Sequence, residues 1–440
     1  MVKVVGAGLA GSEAAWQLAR QGIEVELVEM KPKKRTPAHT SDLFCELVCS
    51  NSLRGASLEN APGLLKEELR RFGSLIMLSA DENRVEAGGA LAVDREGFAR
   101  GVTDRLRAHP LIHIVEEEVC EIPSGDVIIA TGPLTSEPLA DAILRFFGED
   151  SALSFYDAAA PIVTAESIDM ESAFYASRYD KGGADYINCP MNKDEYIAFR
   201  TELATAEEAE VHGFEDGKVF EGCMPVEVMA RRGEDTLRYG PLKPRGIFDP
   251  KTGKQPYAVV QLRRDNREGT LFNIVGFQTH LKHPEQKRVF SMIPALAKAN
   301  FVRYGVMHRN TYLNSPLLLD RFYRARKEPR VAFAGQMTGV EGYIESCASG
   351  LYAAMNMGLR LRGKAPIELD DLTAIGALAK YISGDVLGDF QPMNVNFGIM
   401  QPWDGGKMKK RERYRAISER SLEFISKLLD ERMIDLEDNR

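Results

Sequence analysis

Val4–Val5–Gly6–Ala7–Gly8–Leu9–Ala10–Gly11, with Glu29 directly after the alternating stretch Ile23–Val28, decides the fold of this chain. An apolar strand at Val2–Val5 runs into three glycines spaced Gly-x-Gly-x-x-Gly, and a helix over Ser12–Arg20 follows. Gly6 permits the sharp turn after the strand. Gly8 permits close approach of a diphosphate, and Gly11 lets the helix pack tightly on the sheet. The amides that open the helix face the anion. Glu29 stands 18 residues past Gly11, where a carboxylate accepts a ribose hydroxyl. Strand, glycines, helix, strand and acid in this order predict a dinucleotide site built from Gly6, Ala7, Gly8, Leu9, Ala10, Gly11 and Glu29.

Two later stretches complete the same nucleotide domain. Asp126–Pro133 is a short apolar strand ending in Ala130-Thr131-Gly132, as in two-dinucleotide-binding flavoproteins, where such a strand crosses back beneath the cofactor. Arg330–Gln336 is another, ending in Gly335 and Gln336, and a small-residue helix follows from about Ser346 to Leu361. The N-terminal dipole of that helix can favour an anionic reduced flavin ring. Found at the start, middle and late part of one chain, the three segments point to FAD rather than NAD as the tightly held cofactor. The expected fold is α/β: a Rossmann-like FAD-binding domain of the two-dinucleotide-binding flavoprotein type, with an inserted α+β domain. The first part of the FAD domain is placed at 1–176, the insertion at 177–303, and the second part, with basic C-terminal helices, at 304–440. Strands are expected at Ile162–Ile168, Tyr257–Leu262 and Thr270–Val275, and helices at Lys193–Ala209 and Ser418–Leu429.

Composition bounds the class. With 44% hydrophobic and 27% charged residues, the 440-residue chain reads as an ordinary soluble globular protein. No apolar run approaches the roughly 20 residues that span a bilayer. The first strand begins at Val2 and leaves no room for a leader peptide, so a cytoplasmic location is expected. Six scattered cysteines favour reduced thiols over a disulfide framework or a zinc site. Cys120, Cys189 and Cys347 read as buried packing thiols. No cluster has metal-ligand spacing, so no metal is expected.

The polar stretches are more specific. Glu46–Arg54 places Cys49 in a polar turn, with Asn51 and Arg54 close by, and Asn60–Leu65 follows. Farther on come Asn188–Met191, Phe220–Pro225 around Cys223, Gly240–Pro244, His308–Asn314 and Gly335–Tyr343. Together these closely resemble the folate- and FAD-dependent tRNA (uracil-5-)-methyltransferases, relatives of the glucose-inhibited-division flavoproteins, over nearly the whole chain. The resemblance implies methylation of the T-loop uridine (position 54) at C5, with 5,10-methylenetetrahydrofolate as carbon donor and reduced FAD as hydride source. It also carries Cys49 and Cys223 over as catalytic thiols. C5 of uracil is a poor nucleophile, and a thiolate adding at C6 makes it an enolate that attacks a one-carbon unit. Cys223 is assigned to the uracil and Cys49 to the flavin-side step, with Arg54 favouring ionisation if the turn brings it near.

Tyr343, His308, Arg309 and Asn51 are candidates for folate or substrate. The basic run Lys407–Arg415, with Lys407, Lys409, Lys410 and Arg411 beside Trp403 and Tyr414, is the candidate for gripping the tRNA T-arm and elbow. Arg231/Arg232 and Arg263/Arg264 add positive pairs in the insertion, although the net charge of −8 excludes wholesale coating by nucleic acid. NADH or NADPH must supply reductant. Two other classes stay open: a flavin disulfide reductase or NAD(P)H oxidoreductase, for which Cys45 and Cys49 would be a redox pair, and a flavin-bearing RNA-binding or assembly protein.

Overall fold

A computed structural model of the chain describes all residues except 37, 149–151, 159, 181–182, 210–223, 267, 306, 385–389 and 437–440. Five short strands, β1 (Val2–Val5), β2 (Val25–Glu29), β3 (Ile112–Glu116), β4 (Val127–Ile129) and β5 (Val331–Phe333), form a wholly parallel sheet in the order β5-β4-β1-β2-β3. The strands β4 and β5 are wholly apolar and buried, and β1 nearly so, because a parallel sheet is covered on both faces, whereas the edge strand β3 is largely part-exposed. Val4 of β1 lies between Leu27 and Ile128 and is fully buried. The three glycine-ending strands predicted from sequence are therefore neighbours, β5-β4-β1.

Helix α1 (Leu9–Arg20) follows β1 and packs against α3 (Tyr343–Leu361), which follows β5. The contact is made by small residues: a Cβ on Gly350 of α3 would stand 2.1 Å from the Ala10 carbonyl oxygen. Helix α2 (Ala61–Arg71) starts at Asn60, whose side chain accepts from the Gly63 amide in the usual N-cap manner. Glu68 of α2 then caps a second helix, α4 (Ala374–Ser383), by accepting from the Ala374 and Ile375 amides at 2.7 and 2.9 Å. The same carboxylate takes the Ser421 hydroxyl of α5 (Lys410–Leu436), so one buried acid ties three helices. Ile417, Ser421, Leu422 and Ile425 form the buried face of α5, which begins earlier than the amphipathic Ser418–Leu429.

A second sheet of six antiparallel strands has its own apolar core around Phe199, Phe277 and Phe290. It comprises Phe174–Ala176, Tyr186–Met191, Ala258–Arg264, Leu271–Ile274, Ile162–Thr164 and Phe301–Arg303 in spatial order. Its first strand in the chain, Ile162–Thr164, lies ahead of residue 177, and Ala165–Ser167 turns off as a 3-10 helix instead of extending it. The helix at Lys193–Thr205 is held by an Asn192/Glu195 capping box. The chain leaves the first unit along Ala152–Ala158 and returns along Met307–Leu313, and these two segments pair antiparallel. A small sheet of Ser52–Gly55, Ala90–Val93 and Arg84–Val85 lies between.

Candidate functional site

The glycine turn is shaped as the spacing requires. Gly6 has φ +97°, and a Cβ there would meet the Ala130 carbonyl oxygen at 2.8 Å; a Cβ on Gly11 would meet the Gly6 oxygen at 1.8 Å. Nothing stands within 4 Å of a Cβ on Gly8, which caps α1 without a side-chain partner of its own. The space before the helix N-terminus is thus open, as a diphosphate needs. Glu29 accepts from the Ala7 and Lys31 amides at 2.8 and 3.1 Å, which fixes its carboxylate at the lip of a cleft. That cleft encloses about 710 Å³, its open mouth included, and Gly6, Gly8, Glu29, Glu46 and Thr131 are among its walls. Gly132 has φ +72° and Gly335 φ +86°, and a Cβ on Gly335 would lie 3.1 Å from Ala10 Cβ. The third segment therefore reaches the same turn as the first. Gln336 does not reach into the cleft; its amide donates to Tyr312 Oη and to Glu341. Strand, cradle, acid and open helix end fit the adenosine diphosphate portion of FAD.

The second centre is the turn carrying Cys49. Tyr343, the first residue of α3, accepts at its phenol oxygen from the Cys49 amide (2.8 Å) and the Ser50 amide (3.3 Å). Burial and the adjacent Cys49 thiol push this phenol well above its ordinary range, so it stays protonated. Tyr343 is thus a post for the turn, and its ring is half-buried. Arg54, in a left-handed conformation, pairs with the fully buried Glu345 at the start of α3. This commits its charge to Glu345 and not to a thiolate. Lys66 is buried beside that pair, donating to the Leu53 and Pro62 carbonyls at 2.8 Å each. Burial and then the Arg54 charge lower its amine to about 7.

Asn51 is buried and committed: its amide donates to the Val93 and Arg264 carbonyls at 3.0 and 2.9 Å, while its oxygen accepts from Arg263 Nε at 3.1 Å. It joins the small sheet to the insertion's sheet instead of presenting an edge to a ligand. His308 and Arg309 lie on the connecting ribbon, opposite Asp157 and Tyr156. Cys223 lies outside the described residues. Cys45 packs its thiol 3.8 Å from the Ala7 carbonyl, and burial pushes it up to about 12. A thiol so held is a packing group in the cradle wall, which removes the basis for a Cys45–Cys49 redox pair. Cys189 and Cys347 are buried as expected, but Cys120 is exposed, because it sits in the loop after β3.

Lys407 and Lys409, just before α5, and Lys410, its first residue, are exposed, whereas Arg411 pairs with Glu59. The aromatics beside them are partly covered: Tyr414 packs on Phe397 with tilted rings and centroids 4.4 Å apart, and Arg420 lies over Trp403. Arg263 is buried, Arg231 pairs with Glu208, and Arg264 reaches toward Glu86. Among the described residues there is no group of three potential metal ligands and no helix long and apolar enough to cross a membrane.

Sequence reasoning missed Arg95, Arg303, Lys66, Glu345 and Asp265. Each is a charged residue in an otherwise ordinary helix, strand or loop, several of them with charged neighbours in sequence, and only three-dimensional proximity sets it apart from a solvated surface charge. The one usable hint was Glu345, two residues past Tyr343 at the start of a helix otherwise made largely of small and apolar residues.

Residues 1–365 match the family model for glucose inhibited division protein A. The chain is 60% identical over 422 residues to a methylenetetrahydrofolate–tRNA-(uracil-5-)-methyltransferase of Desulfitobacterium hafniense, covering 96% of each chain. It is 58% identical over 434 residues to the protein of that name from Heliobacterium modesticaldum, covering 98% of this chain and 99% of the other. Among solved structures, Aquifex aeolicus GidA superposes over 100% of this chain and 74% of its own with a TM-score of 0.73 at 16% identity, a likeness of fold.

Proposed function

This chain belongs to the glucose inhibited division protein A family and, within it, to the methylenetetrahydrofolate–tRNA-(uracil-5-)-methyltransferases, and from that premise we propose how its residues divide the work. The enzyme methylates uracil in tRNA at C5, with 5,10-methylenetetrahydrofolate as carbon donor. The T-loop uridine at position 54 is the target. When bound, FAD in its reduced form supplies the hydride that completes the methyl group, and NADH or NADPH restores it. Gly6, Gly8 and Glu29 hold the adenosine diphosphate end of FAD, with Thr131 in the wall beside it, while Gly11 and Gly335 let the backbone around the cradle pack closely.

Cys223 adds its sulfur to C6 of the everted uracil, which moves electron density to the ring and makes C5 nucleophilic. The sulfur departs once C5 has gained the one-carbon unit and lost its proton. Cys49 handles that proton or the one-carbon unit on the flavin side, from a turn that Tyr343 holds in place. His308 and Arg309 hold the folate or the uracil edge from the ribbon between the two units. The insertion runs from the strand Ile162–Thr164, ahead of the expected boundary at 177, to Arg303, with the first unit on either side of it, and the protein works in the cytoplasm.

The single observation that carries the reading is the convergence on α3. Its first residue fixes the Cys49 turn, and Gly335, in the loop that leads into it, touches the nucleotide cradle. A disulfide reductase has no use for that arrangement once Cys45 is packed away. The test is nucleoside analysis of an unmodified tRNA transcript incubated with the protein, labelled methylenetetrahydrofolate and a nicotinamide reductant. Labelled 5-methyluridine is expected, and its absence overturns the reading. Cys49→Ala and Cys223→Ala are expected to keep bound FAD and to slow the reaction by at least about 10²-fold; full activity in either removes that thiol from the reaction.

A further inference from the structure

Three guanidinium groups from three separate segments meet beside the Cys49 turn. Arg95 opens the helix Arg95–Ala108, Arg263 lies on the central strand of the insertion's sheet, and Arg303 ends its last strand. Arg263 donates to Ser50 Oγ, the hydroxyl next to Cys49, and to Asn51 Oδ1. Arg95 donates to the Leu47 carbonyl, two residues before Cys49, and its charge bears on Tyr343, Arg263 and Arg303. Arg303 spends one nitrogen on the Ala38 carbonyl at 3.3 Å. Two carboxylates face the trio. Asp265 is bound to Arg95 Nε at 3.0 Å, and Glu46 is already taken up by the Thr40 and Ser41 amides.

Arg263 also hydrogen-bonds to Tyr186, yet three guanidinium charges face only two carboxylates, so the trio is undercompensated. Arg95 Nη2 is buried and has no hydrogen-bond partner among the described residues, and burial disfavours the charged form of both Arg263 and Arg303. A buried guanidinium with an unmet N–H is costly and seldom retained for stability alone. Guanidinium forks match the paired oxygens of phosphates and carboxylates. We propose that Arg95, Arg263 and Arg303 form an oxyanion subsite of the reaction centre that receives an anionic group of a substrate. The group is either the phosphate of the everted nucleotide or a glutamyl carboxylate of the folate. The inference rests on the methyltransferase reading and deepens it by naming how a substrate is seated next to Cys49.

Arg303→Gln is the sharpest probe, because Arg263 also frames Asn51 and Arg95 also bridges to Asp265. Two dissociation constants are measured on the FAD-loaded full chain. One is for an unmodified tRNA transcript by filter binding over a salt series. The other is for tetrahydrofolate, and for an analogue lacking its glutamyl group, by the change in flavin absorbance. The subsite predicts about tenfold weaker binding of one substrate in Arg303→Gln, the other within about twofold, and partial recovery in Arg303→Lys. A weakened tRNA arm with a salt slope shallower by about one identifies the phosphate. A weakened folate arm, with the analogue bound equally by both proteins, identifies the carboxylate. Unchanged affinity for both substrates overturns the proposal, and so does joint loss of both together with FAD, since that marks a purely structural role. If the wild-type protein binds neither substrate, the methyltransferase reading itself fails.

Discussion

At the scale of single residues, the structure separates thiols and acids that look alike in sequence. Cys45 and Cys49 are four positions apart, yet one is sealed against the Ala7 carbonyl and the other sits half-exposed on a turn held by Tyr343. Tyr343→Phe removes the acceptor of two amides, a loss of about 1–3 kcal/mol of local order. We expect FAD content to be retained while kcat falls several-fold and KM for folate moves less, which steady-state kinetics checks. A second residue-scale prediction concerns His280. Burial alone would lower its pKa, but hydrogen bonds to Glu208 and Glu227 and their charges raise it to about 9. Because the folded value exceeds the ordinary histidine value of 6.5, the stabilisation is complete below about pH 6.5 and is lost as pH rises through 9. The wild-type melting temperature should therefore drop by roughly 2–5 °C more between about pH 7 and pH 10 than that of His280→Gln. Equal drops would exclude the coupling. Cys49 entered as a candidate through the family resemblance, and its place in a polar turn was the part the residues themselves showed. Arg95 and Arg303 were not legible in the sequence, since an arginine carries no sign of what the fold will bring beside it.

Elements were legible in proportion to the physical constraint on them. The strands β1, β4 and β5 are covered on both faces, so their continuous apolar runs announced them, and their terminal glycines announced the turn they share. Strands of two to four residues such as Arg84–Val85 and Ser52–Gly55 are too short to show alternation, and the small sheet they form went unseen. The strand at Ile162 was read from the sequence, but its membership of the second sheet was not, because Ile162–Thr164 pairs with segments more than a hundred residues away. Helix packing gives the element-scale prediction. Since Gly350 allows α3 to lie on the Ala10 backbone, Gly350→Val must push α3 from α1, at a cost of about 1–3 kcal/mol or more. The displaced helix carries Tyr343 and adjoins the cradle, so the flavin-to-protein absorbance ratio should fall together with the melting temperature. A variant that melts early yet binds FAD fully would show that the cradle does not depend on this contact.

Across the whole molecule, two units with separate cores are tied by the ribbon Ala152–Ala158/Met307–Leu313 and by Asn51, whose amide reaches the Arg264 carbonyl. The Cys49 turn lies at this junction, which suits a reaction needing a cofactor from one side and a bulky substrate from the other. A chain of net charge −8 repels RNA over most of its surface, so tRNA must be held by local positive charge. Lys407 and Lys409, just before α5, and Lys410, its first residue, are exposed, unlike Arg411, which Glu59 already neutralises. If these three lysines meet phosphates, the triple change to Glu should weaken tRNA binding by at least about tenfold at low salt. It should also flatten the slope of log Kd against log salt by about 2–3, roughly one unit for each lysine that neutralises a phosphate. Arg411→Glu alone should do less, because it removes an intramolecular pair as well as a charge. Filter binding over a salt series measures both quantities. Folate affinity, read in parallel on the same proteins, should stay unchanged, since α5 is anchored to α2 through Glu68 and Ser421 and not to the Cys49 turn. An unaltered salt slope would assign the lysines to solvent and send the search for the RNA grip to the insertion.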